Sequence, residues 1–144
     1  MLVAVGFWAF VVASYAVVLL YGGREARIFI HFVLLAALAT LVAFITLAGT
    51  EYGLAILAID GALLVAGLYF VARTQSFWPV WFCGFHLIGV ATSSARWLFP
   101  NELPEIYGNL AGFWAIPALM TMVIAVIRDR QSQSPSGAFA HGRS

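Results

Sequence analysis

The sequence predicts an all-α integral membrane protein: a bundle of five transmembrane helices with its N-terminus outside and its C-terminus in the cytoplasm. Three observations carry that expectation. Of the 144 residues, 63% are hydrophobic and 9% are charged, where a soluble domain carries roughly a quarter charged residues. The apolar residues fall in continuous runs long enough to cross a bilayer rather than in stripes. All seven basic residues are arginine, and six of them fall in alternate connections or at the C-terminal end, the bias that cytoplasmic segments show.

The first run, residues 2–21, has no basic residue before it, while Arg24 and Arg27 follow it. A cleavable signal peptide has the opposite polarity, so the run reads as a retained helix that enters from outside. Trp8, Val11, Tyr15 and Val18 share one of its faces, a packing stripe. Residues 22–27 read as a turn and 28–48 as the second helix. His31 lies in its first turn, near the headgroups, where water or backbone satisfies it. Residues 49–52 form the next turn and 53–72 the third helix. There Gly53, Asp60 and Gly67 recur every seven residues on one face, a small-residue face that lets a neighbouring helix approach.

Residues 73–76 lead into the fourth helix, 77–99. Ser76 is placed to cap it, and Pro79 falls in the first turn, where a missing N–H does little harm. Trp78 and Trp81 suit the bilayer interface at this end and Trp97 the other. A polar loop, 101–107, carries Glu102 and Glu105. The fifth helix, 108–127, opens with the close-packing pair Gly108 and Gly112. Pro117 is expected to kink it in the middle, because the ring removes the bond to the carbonyl of Phe113. The bundle thus covers 1–128, and the polar residues 129–144 read as a disordered cytoplasmic tail.

This arrangement puts Arg24, Arg27, Arg73, Arg128, Arg130 and Arg143 on the cytoplasmic side. It leaves Arg96 near the outer face with Glu51, Glu102 and Glu105. The charge bias fits a multi-pass protein of a bacterial cytoplasmic (inner) membrane, with the lipid bilayer as its first partner. A net charge of +1 argues against nucleic acid as a partner.

The stretch 77–100 holds most of the polar groups that a lipid-facing helix avoids: His86, Thr92, Ser93, Ser94 and Arg96. At about 1.5 Å rise per residue through a core about 30 Å thick, Asp60 falls between His86 and Arg96 in depth, roughly 6–9 Å from each along the normal. An ionisable residue at such depth is paired or functional. In one reading Asp60 is a structural staple on Arg96 or His86. In the other, Asp60, His86, Arg96 and Ser93 line a polar cavity that binds a ligand or passes a proton.

Several chemistries find little support. Without lysine there is no Schiff base. The lone Cys83 forms no internal disulfide, and no Cys/His cluster suggests a metal. Ser93 and His86, seven apart on one helix, stand about 10 Å from each other, beyond hydrogen-bond reach, so they do not make a hydrolase pair. A haem held between His31 and His86 would need both rings to face each other, whereas their depths differ by roughly 7 Å.

The first functional expectation is therefore a non-enzymatic membrane protein without cofactor. It would act through partner subunits, as a homo-oligomer or in a larger membrane complex, or by binding a lipid-like ligand. The alternative is a small oligomeric transporter or proton-conducting protein using Asp60, His86 and Arg96. A membrane cytochrome or enzyme comes third.

Overall fold

A computed structural model describes residues 2–99 and 113–133, with backbone alone at 2–4, 96–97 and 131–133. The described residues form five helices and no strand: α1 (Leu2–Tyr21), α2 (Arg24–Thr46), α3 (Gly49–Arg73), α4 (Trp78–Leu98) and α5 (Ala115–Gln133). α2 and α3 are each long and apolar enough to cross a membrane, with mean hydropathies of 2.7 and 2.3. The apolar stretch of α1, Val5–Tyr21, is shorter.

The connections are tighter than charge placement suggests. Residues 24–27 are helix rather than turn, so only Gly22 and Gly23 join α1 to α2. The Gly22 N–H closes the end of α1 on the Val18 carbonyl at 2.8 Å, and Arg27 Nε donates back to the Gly22 carbonyl at 2.8 Å. Residues 49–52 likewise belong to α3. Leu47 and Ala48 make the link, and Gly49 turns the chain with φ 57°, a backbone conformation that costs glycine alone nothing. Glu25 and Glu51 sit in first turns and Arg73 and Arg130 in last turns, each on the side the helix dipole favours. Charge marks helix ends here without ending the helices.

Three other expectations are corrected. Ser76 does not cap α4: its N–H bonds Thr74 Oγ1 at 3.0 Å, and the cap position falls to Phe77, with no side-chain cap bond. Trp78 turns inward and is 3% exposed, because it packs on Phe29 at 5.1 Å between centroids. Residues 129–133, read as the start of a disordered tail, continue α5; Arg130 lies 4.6 Å over the Tyr21 ring and ties this turn to the end of α1. The remaining tail, the 101–107 loop, Gly108 and Gly112 lie outside the described residues. Pro117 stands in the first turn of α5, and Trp114, three residues before it, interrupts the helical path. That is where the missing proline N–H leaves the Phe113 carbonyl without its helical donor.

The helices pack in a ring in chain order, α1 on α2, α2 on α3, α3 on α4, α4 on α5, and α5 back on α1. The axis of the ring is filled at the end where Tyr21, Arg24 and Arg130 lie. Phe29 is the hub, with Phe70, Trp78 and Phe82 around it at 5.4, 5.1 and 4.8 Å between centroids. Val18, Met122 and Val126 close the cluster from α1 and α5. Gly67 makes the tight α3–α4 approach: a Cβ there would stand 2.6 Å from Cys83 Sγ.

Gly67→Ala is therefore expected to destabilise the bundle by about 1–3 kcal/mol through overpacking. Adding Cys83→Ala should recover most of the loss. Gly84→Ala, where a Cβ meets nothing within 4 Å, should be neutral or stabilising by up to ~1 kcal/mol. Unfolding in detergent micelles measures all three.

Candidate functional site

Beyond the aromatic hub the ring is hollow. A cavity of about 440 Å³ opens there, lined from every helix. Its volume comes from small residues that share a level: Ala36, Ala37 and Thr40 on α2, Gly89 on α4, and Ala115 and Ala118 on α5. Where these side chains stop short, the helices do not close the gap, because their spacing is held by the larger residues of the hub. Leu63 and Phe82 belong to both regions and form the floor. Phe7, Trp8, Phe44, Tyr52 and Trp114 add aromatic walls.

Asp60 and His86 both line this cavity. His86 is 8% exposed and stacks on Phe82 at 5.6 Å between centroids. Its Nε2–H donates to the main-chain carbonyl of Asp60 at 3.0 Å. The hydrogen bond between these two residues thus runs to the Asp60 backbone. The Asp60 side chain is half-buried, and its carboxyl interacts electrostatically with the His86 imidazole. Asp60 reaches α4 because it shares a face with Gly67, one heptad along α3.

The other candidates are not gathered here. Ser93 is half-buried on α4 and does not line the cavity. The side chain of Arg96 lies outside the described residues, and with it the Arg96 half of the expected staple. His31 is exposed; its Nδ1–H donates to the Arg27 carbonyl, and its ring meets Tyr15 edge-on at 5.4 Å. It is not part of the cavity wall, so the two histidines are not presented to one space as haem ligation would need. Thr92 and Ser94 bond back to the carbonyls of Ile88 and Val90 at 2.7 and 2.8 Å, which satisfies them within their own helix. No group of three metal-ligating side chains occurs among the described residues.

Sequence reasoning offered a polar cavity at Asp60 and His86 as one of two readings but missed its apolar, aromatic walls. A signal existed: alanine, threonine and glycine recur on α2, α4 and α5 around the depth of Asp60. It could be read only with the ring order in hand, since small residues at one level leave a void only when they face the same axis.

The chemistry available is that of an apolar, aromatic-walled pocket with one carboxylate and one imidazole. The His86 bond is a side-chain hydrogen bond between α4 and α3. His86→Leu should cost about 0.5–1.5 kcal/mol of stability, and His86→Gln, which keeps an N–H donor, should cost less. Thermal unfolding of the two variants in one detergent checks this.

No protein-family model matches the chain, and neither the curated proteins nor the solved structures include a match to it, so the function of the cavity rests on its own chemistry.

Proposed function

We propose that this chain is a five-span protein of a bacterial cytoplasmic membrane, N-terminus outside, whose central cavity holds one lipid-like or similarly apolar molecule. The cavity carries the reading. Its volume, about 440 Å³, lies in the range of small-molecule sites, roughly 300–1,000 Å³. Its walls are mostly apolar and aromatic, with Asp60 and His86 as the ionisable groups, the character of a small-molecule pocket.

Two features support the membrane setting. The apolar windows of α2 and α3 are only 22% and 17% buried within the bundle, so most of their hydrophobic surface faces outward. Leu35, Ile45 and Val65, for example, are 64%, 72% and 68% exposed. A soluble monomer rarely carries so continuous an apolar surface. Secondly, Arg24 and Arg27 at the start of α2, Arg73 at the end of α3, and Arg128 and Arg130 near the end of α5 belong to the same end of the ring, as the positive-inside bias requires of a cytoplasmic face.

Protein purified in a mild detergent should carry a stoichiometric apolar molecule visible by mass spectrometry. Ala37→Trp, which fills the cavity from α2, should remove it while the bundle still folds. An equal complement of bound molecules in both proteins would sink the cavity as the site. For the topology, a reporter fused at Met1 should read as external and one fused after Ser144 as cytoplasmic.

A further inference from the structure

We infer that the cavity selects a hydrophobic organic cation, an amine or quaternary ammonium on an apolar body, with Asp60 as its counter-charge. The inference rests on the reading of the cavity as a ligand site and adds the class of ligand.

Asp60 is the one charged side chain among the described residues that line the cavity. The chain has no lysine, and the arginines with described side chains belong to the opposite end of the ring, around Tyr21 and the last turns of α3 and α5. Within the described residues the electrostatic neighbour of this carboxylate is the His86 imidazole. The His86 Nε2–H is hydrogen-bonded to the Asp60 main-chain carbonyl at 3.0 Å rather than to the carboxylate.

The walls have the complementary character. Trp8, Phe44, Tyr52, Phe82 and Trp114 line the same cavity as the acid. Aromatic faces carry negative potential and attract ammonium groups, most strongly where water is scarce. An anionic ligand would set two like charges against each other in a medium of low polarity. A neutral ligand would fill the space yet gain nothing from Asp60. A cation with an apolar body uses both the volume and the charge, and it removes the cost of leaving a carboxylate beside hydrocarbon.

The experiment uses the full chain in lipid nanodiscs, with empty discs as the partition control. Equilibrium dialysis compares benzyltrimethylammonium with neopentylbenzene, its uncharged isostere. Wild type should bind the cation about tenfold or more tightly relative to the isostere. In Asp60→Asn that preference should fall to nearly nothing, with neopentylbenzene bound as before. If wild type binds the two probes alike, or if the preference survives Asp60→Asn, the inference is overturned and the cavity reading stands. If neither probe binds, the cavity reading falls along with it. Should Asp60→Asn not fold, the comparison of cation and isostere on wild type decides alone.

Discussion

Closure of the ring, α5 against α1, is the constraint on which the rest of the structure depends. Five helices packed in a ring leave an axis that no helix occupies, so side chains alone must fill it. Around Phe29 they do. Three aromatic rings from α3 and α4 stand within 5.4 Å of it, centroid to centroid, and Val18 and Met122 meet them from the remaining helices. Such a cluster sets the radius of the ring for its whole length, since helices are stiff rods over the length of a bundle. Further along, alanine and glycine replace the large residues, the radius stays, and a cavity is the consequence. Dense packing at one end and a cavity at the other are thus one feature.

The treatment of polar groups sharpens the same contrast. Thr46, Thr92, Ser94 and Thr121 all donate to carbonyls of their own helices, as does His31. None of these calls for a neighbour, and they constrain tertiary structure little. His86 departs from the pattern. Its bond to α3 crosses between helices, and the residue that accepts it also brings a carboxylate to the cavity. One contact therefore joins the α3–α4 packing to the chemistry of the site, with Gly67 providing the close approach two turns away.

At the other end the arginines find backbone and aromatic partners. Arg27 holds the Gly22 carbonyl, Arg73 lies 5.1 Å over Tyr69, and Arg130 lies 4.6 Å over Tyr21. Guanidinium on an aromatic face remains weakly hydrated and charged, a state compatible with a band of headgroups. The same contacts explain why helices run through residues that look like breaks. Glu25 stands in the first turn of α2 and Arg130 in the last turn of α5, where the dipole favours an acid and a base respectively.

The amino-acid sequence by itself determined the all-α character, the order and approximate extent of the helices, and the alignment of the arginines toward one end. These follow from apolar run length and charge placement, which are local properties of the chain. It also singled out Asp60 and His86, because ionisable residues inside apolar runs stand out without any fold. It misjudged the turns at 22–27 and 49–52, the inward-facing Trp78 and the helical residues 129–133, since local polarity there competes with contacts made by distant residues such as Tyr21 and Phe29. The cavity, its aromatic walls and the use of the Asp60 carbonyl rather than its carboxylate by His86 were decided by tertiary structure alone. Each depends on which helix faces end at a common axis and at what distance the Phe29 cluster holds them apart, and no single helix carries that information.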